Sequence, residues 1–452
     1  MKKLLLGFAL ALAGCGGQAK VVGSQQQARE PSFSCPLPPP NINPGLDPDV
    51  VPTLSSASPA SIAMGGPDFT LTANGGGFTT ESVLRWNGDD RTTQFVSGGQ
   101  LRASILAGDI ATPGLAQLTV FNPGPDGGES NVLNFPVFIR QTCNDLIYDP
   151  FSGLIFASVP SIVGGNAIVS IDPYTGEVSN SVFVGSEPGK LAVSDDGQSL
   201  FVALNGAAAV RQVDIPSMTA GLQFPLGSDP FFGPMYVEDM QVLPGYPDSI
   251  AVSRKYQGFS PRHAGVAVYD SGVRRPTQTP GHTGSNVIQF SASADTLYGY
   301  NNETTEFGFR RMRVDDSGVT ILDSTGNLIS GFGVDIRFDS GDWQIYSTTG
   351  RVIDPVERIL VGTFPGIGFG SLVKPDAATG RAFFLTGDDP TRTLRVFDPN
   401  TFTPLGDAQI PGVSGGVSSL IQWGDNGLAF RTGSNQVFVI PSPIPAAGTR
   451  VR

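Results

Sequence analysis

The sequence predicts an all-β chain in two folded parts, a small sandwich followed by a longer array of sheet-forming repeats. Three observations predict it. Apolar residues recur in short runs, many alternating with polar ones, and beyond the first twenty residues no run keeps a helical period. The 58 Gly and 37 Pro among 452 residues suit many tight turns and oppose long helices. From residue 145 to about residue 443, units of similar pattern follow one another. A single such unit has too little apolar surface to form a core alone.

Composition narrows the function classes. Hydrophobic residues make up 40% and charged residues 15%, enough apolar content for packed cores. The formal charge of −12 opposes nucleic-acid binding, which needs clustered cations to displace counterions. It also opposes docking on anionic lipid through a basic patch. Acidity of this size mainly serves solubility.

Residues 1–15 read MKKLLLGFALALAGC. Lys2 and Lys3 precede an apolar run over residues 4–12. That run falls short of the roughly 20 residues a membrane-spanning helix needs, and it fits the apolar region of a secretion signal. Leu12-Ala13-Gly14-Cys15 resembles the lipobox of bacterial lipoproteins. The resemblance implies cleavage before Cys15, its acylation, and a membrane partner held through that anchor. Each buried CH₂ of the acyl chains would contribute about 0.8 kcal/mol. Gly16 in place of Asp resembles an outer-membrane sorting signal. The expected location is therefore the cell envelope, at the outer membrane or cell surface, and not the cytoplasm.

Residues 16–50 are rich in Gln, Ser, Pro and Asn, include Pro36-Leu37-Pro38-Pro39-Pro40, and read as an extended linker. Cys35 and Cys143 are the thiols left once Cys15 is acylated. Outside the cytoplasm the pair can form a disulfide. Two independently buried or free thiols are the other reading, and both stay open. Without His neighbours the two make no metal site.

Residues 51–139 alternate apolar and polar in short runs such as Phe69-Thr70-Leu71-Thr72-Ala73 and Gln100-Leu101-Arg102-Ala103-Ser104-Ile105. Turns such as Asn74-Gly75-Gly76-Gly77 and Asn87-Gly88-Asp89-Asp90 separate them, so the segment reads as a β-sandwich. Several elements make it resemble an IPT/TIG domain, an immunoglobulin-like module. They are Ser58-Pro59, Gly75-Gly76-Gly77-Phe78, Trp86-Asn87-Gly88, and Asn122-Pro123 followed by Gly127-Gly128. The resemblance covers the whole segment and implies a spacer or interaction module without catalysis. Trp86 is expected in the core and not as a ligand platform.

Residues 140–443 hold the array, with 444–452 as a tail. Apolar openings recur at Leu146-Ile147-Tyr148-Asp149, Leu191-Ala192-Val193-Ser194, Val287-Ile288-Gln289-Phe290, Ile336-Arg337-Phe338-Asp339, Leu372-Val373-Lys374-Pro375-Asp376 and Ile421-Gln422-Trp423. A looser one surrounds Met240-Gln241-Val242-Leu243. The spacing of about 45 residues is the length of a four-stranded propeller blade, and about seven units fit. The last unit stops at Pro441 after its third strand. Its missing outer strand is expected either from residues 137–139 or not at all, because those residues could instead finish the sandwich. The two roles are read as exclusive. The style of "DDGQSLFVA" and "GGNAIVSIDPYTGEV" resembles YVTN/NHL/WD40-like propellers. That resemblance carries no site residues, and the paired Gly-His and Trp-Asp of strict WD40 repeats are missing.

No catalytic set emerges. His263 and His282 are expected in surface loops, with no third metal ligand to name. Ser260 and Ser285 adjoin them without a G-x-S-x-G turn. Asp195-Asp196, Asp315-Asp316 and Asp388-Asp389 fit turn chemistry better than calcium binding. No cofactor is expected. The function expected is a lipid-anchored envelope protein whose propeller binds a protein or a glycan. Alternatives are a propeller hydrolase of lactonase type and a structural role in envelope assembly.

Overall fold

Strands alternate with tight turns throughout the computed structural model, which describes residues 51–124 and 127–441. Cys15, Cys35, the expected linker and the expected tail lie outside the described residues. Among the described residues there is no α-helix, only three short 3₁₀ turns. None is long and apolar enough to cross a membrane.

The first part is a two-layer sandwich. One sheet orders Thr53–Ser58, Phe69–Gly76, Gln100–Ile105 and Thr93–Ser97. The other orders Asp89–Asp90, Val83–Trp86, Gly114–Asn122 and Leu133–Arg140. Strand side chains alternate between faces, so Leu71, Ala73, Leu101, Ala103 and Ile105 of one layer meet Leu84, Leu118, Val120 and Phe135 of the other. Trp86 is 2% exposed and packs on Phe135 at 5.2 Å between ring centres, a core role. At Gly75 a Cβ would collide with the Thr53 carbonyl across the strand pair, so the turn motif is set by close approach.

The array folds into successive antiparallel sheets. Six of them take four consecutive strands each, over 145–183, 188–225, 236–274, 287–325, 336–363 and 372–411. The loosest repeat in sequence, 236–274, forms a full sheet whose fourth strand is only Val273–Arg274. A further sheet takes Val417–Trp423, Gly427–Thr432 and Gln436–Ile440. The first strands adjoin one another in chain order, and Val417–Trp423 returns to Asp145–Asp149, closing a ring. The core is spread between neighbouring sheets. Phe156, Leu191 and Leu200 join the first two, and Tyr300, Ile336 and Ile345 join the fourth and fifth.

The strand Leu133–Arg140 corrects the expectation that its two roles exclude each other. Residues 133–137 pair with the sandwich strand Gly114–Asn122. Ile139 and Arg140 then pair with Val437 and Gln436 and supply the fourth strand of the last sheet. At about 3.3 Å per residue, a strand of 8 residues is long enough to give one end to each sheet. Phe138 packs on Phe438 at 5.6 Å between the sixth and last sheets, while Ile139 enters the core between the last and the first. The sandwich thus adjoins the ring where the ring closes, within one compact unit of the described residues.

Turn chemistry punctuates the sheets. Asp149 accepts from the Phe151 and Ser152 amides, Asp172 from Tyr174 and Thr175, and Asp354 from Val356 and Glu357. Asp196 and Asp315 do the same for Gln198 and Ser317. Asp195 and Asp389 instead accept from Gly245 and Gly415 in the next sheet's loops.

Candidate functional site

The first strand of every sheet lines the axis, and alternation decides what each residue faces. Leu146, Leu191, Met240, Ile288, Ile336, Val373 and Leu420 are buried between sheets. Their neighbours on either side occupy two levels of the channel wall. One level carries Asp145, Lys190, Asp335, Leu372 and Ser419, with Asp239 joined to it through Lys190. The second carries Ile147, Gln241, Gln289, Arg337, Lys374 and Ile421, while Ala192 is buried between the second and third sheets.

Two compartments of about 270 and 280 Å³ lie along this axis and share Asp145, Lys190, Arg337, Ser419 and Leu420 in their walls. The first reaches toward Asn144, Thr348 and Arg431, the second toward Tyr148, Lys374 and Gln422.

The charged girdle between them is largely self-satisfied. Asp145 accepts from the Ser419 hydroxyl at 2.6 Å and the Leu191 amide at 3.0 Å. Lys190 forms an ion pair with Asp239 at 3.1 Å, and Asp239 also accepts from the Ile288 amide at 2.9 Å. These contacts stitch the last sheet to the first, the first to the second, the second to the third and the third to the fourth. Asp335 accepts from the Ile336 amide and from Arg337, at 2.8 and 2.9 Å.

Burial and pairing set the charges. Asp239 beside Lys190 holds its ammonium above the ordinary lysine value. Burial pushes the Asp239 carboxyl up, against the pull of Lys190. Burial also opposes the charge on Asp335, yet Arg337 and Lys190 hold it below the usual carboxylate range. Lys374 is pushed down, first by burial.

The residues singled out in sequence fall elsewhere. His263 is not in a surface loop: it opens the strand His263–Asp270 and is 1% exposed. Both ring nitrogens are buried without a hydrogen-bond partner, and burial pulls its pKa down to about 3. Gly284 lies so close that a Cβ there would strike the ring. His282 is exposed, and its amide donates to the His263 carbonyl at 2.8 Å. Neither histidine lines the channel compartments. Ser285 is buried, with its hydroxyl 3.8 Å from the Met312 sulfur. Cys143 is a free thiol, 6% exposed in the core between the last and first sheets, and burial pushes it up to about 12. Among the described residues no group of three or more His, Cys, Asp or Glu could hold a metal ion.

Sequence reasoning missed the girdle. The signal was present as a charged or amide residue in the middle of short apolar runs, in Ile336-Arg337-Phe338, Val373-Lys374-Pro375 and Ile288-Gln289-Phe290.

Among solved structures, the β-propeller domain of Cps50 (Swd1) from Myceliophteria thermophila matches with a TM-score of 0.53 at 13% identity. The match covers 67% of this chain and 97% of that one. This chain contains a β-propeller. Kuenenia stuttgartiensis hydrazine synthase matches with a TM-score of 0.51 at 15% identity, over 66% of this chain and 95% of that one. At these identities the likeness shows the propeller fold alone. No protein-family model and no curated protein matches the sequence.

Proposed function

We propose that the chain is an envelope binding protein: a seven-bladed propeller that takes a small polar ligand into its axial channel. The strand shared with the sandwich supports reading that sandwich as an immunoglobulin-like stalk of IPT/TIG type. The lipobox supports an acyl anchor at Cys15 and placement at the outer membrane or cell surface. The observation that carries the reading is the compartment of about 280 Å³ walled by Gln241, Gln289, Arg337 and Lys374 on one side and Ile147 and Ile421 on the other. Concave sites with a few convergent polar groups on an apolar wall are where small ligands bind. Binding is favoured over hydrolysis because Asp145, Asp239 and Asp335 are each engaged by an amide and by a hydroxyl or a cation. That leaves no free carboxylate in the girdle to act as a general base.

A library of anionic, neutral and cationic fragments, screened by ligand-observed NMR on the full chain and on Gln241→Trp, tests this. Gln241 lines the second compartment, so the larger side chain fills it. Fragments bound by the native chain and lost in the variant are expected; a screen with none refutes the channel as a binding site. For the anchor, palmitate labelling is expected to vanish in Cys15→Ser, and labelling that persists refutes it.

A further inference from the structure

Building on the channel-binding reading, the chemistry of the ligand can be named from the cations of the wall. Three line the second compartment: Lys190, Arg337 and Lys374. Two are matched. Lys190 is paired with Asp239, and Arg337 holds Asp335 with 2.8 Å between nitrogen and oxygen.

Lys374 is not matched. It sits between buried Val373 and Pro375, itself half-buried, and among the described residues it has no hydrogen-bond or ion-pair partner. The carboxylates whose field reaches it, Asp339 and Asp376, are engaged elsewhere. Asp339 accepts from the Gly341 and Ala377 amides at 2.7 and 3.1 Å. Asp376 accepts from the Thr379 hydroxyl and the Gln422 amide at 2.6 and 2.8 Å. Arg337 stands at the corresponding position of the preceding inner strand, close enough for its charge to disfavour the Lys374 ammonium. Two neighbouring cations facing one cavity, one of them unpaired, form a site that an anion would complete.

The wall continues in one sense. The next two inner strands around the ring present Ile421 and Ile147 at the same level, both lining the compartment. A volume of about 280 Å³ holds about nine waters at roughly 30 Å³ each, enough for a molecule of similar heavy-atom count.

We propose that this compartment binds a small monocarboxylate with an apolar body, the carboxylate lodged between Lys374 and Arg337 and the body against Ile421 and Ile147. The anion would relieve the repulsion between the two cations, and the apolar body would leave water.

Calorimetric titration of the full chain with acetate, butyrate, hexanoate and octanoate tests this, with hexanamide and hexylamine as matched neutral and cationic probes. Hexanoate is expected to bind at one site, about tenfold or more tighter than either matched probe, as a charge-assisted hydrogen bond predicts. Affinity should rise from acetate to hexanoate. Lys374→Met is expected to weaken hexanoate by about tenfold or more, and Lys374→Arg to retain most of it. Without ligand, Lys374→Met should unfold no earlier than the native chain, since the cation it removes has no partner. Equal binding of hexanamide, undiminished binding by Lys374→Met, or no carboxylate bound at millimolar concentration overturns the proposal. If carboxylates fail while other fragments remain sensitive to Gln241→Trp, only the ligand's chemistry is refuted. If no fragment is sensitive, the channel reading falls with it.

Discussion

Replacing Lys190 with methionine isolates what the axial girdle contributes. The substitution keeps the length and apolar stem of the side chain and removes the charge. Asp239 is then left with only the Ile288 amide, and its side chain is 2% exposed. Removing one partner of a buried ion pair costs about 3–5 kcal/mol. The Lys190 side chain is 34% exposed along the channel, so water can reach the vacated position and lower the loss to about 2–3 kcal/mol. At about 2–4 °C per kcal/mol for large domains, the unfolding midpoint should fall by about 4–12 °C.

The sign of the pH effect follows from burial. The folded-state pKa of Asp239 lies above its unfolded value. Its favourable contribution is therefore present in acid and lost as pH rises through the folded value. Without Lys190 that loss is unopposed at neutral pH, and the gap between variant and native chain should narrow in acid. In the native chain the raised Lys190 adds stability that persists through neutral pH and fades only above the ordinary lysine value, in strong alkali. Thermal unfolding of native, Lys190→Met, Asp239→Asn and the double variant, at neutral and acid pH, is the assay. Asp239→Asn should recover most of the stability in the methionine background. An unchanged midpoint, a gap constant with pH, or no recovery in the double variant refutes the reasoning.

Three further outcomes follow from burial. Phe138→Ala should destabilise the ring's closure by about 3–5 kcal/mol, because Phe138 is 9% exposed and packs on Phe438; limited proteolysis should then cut first near the last sheet. His263→Leu should leave stability at neutral pH equal or raised by about 1–2 kcal/mol, since it removes two unpartnered buried nitrogens. With the native His263 held near pKa 3, stability is present above about pH 6.5 and lost as the pH falls toward 3; the leucine variant should flatten this slope in acid unfolding scans. Cys143, with its thiol pushed up to about 12, should resist iodoacetamide in the folded chain and react after denaturation without reductant; a linked 35–143 peptide in the mass spectrum would refute a free thiol.

Much of the architecture was legible because strand alternation and turn residues are local signals. Leu71 and Ala73 face inward while Thr70 and Thr72, alternating with them, lie further out, as the two-residue period requires. Trp86 proved a core residue for the reason sequence suggested. His263 was misjudged because Arg262-His263-Ala264 reads as a loop, whereas Lys255 pairs with His263 across the strands and places the ring under Gly284. Nothing local reports that a polar side chain will be enclosed by a neighbour more than twenty residues away.

The sequence by itself determined the class of structure: short strands, sheet-forming repeats, and turns set by Asp and Gly. These depend on periods of two residues and on single-residue backbone preferences, which any stretch of chain displays on its own. Only the tertiary structure decided that Leu133–Arg140 serves two sheets at once, and that Asp145, Lys190, Asp239, Asp335, Arg337 and Lys374 meet on one axis. Ring closure brings together Asp145 and Ser419, which lie 274 residues apart. Pairing between residues so distant depends on how many sheets fit around the axis and on their register, and no local pattern carries that information.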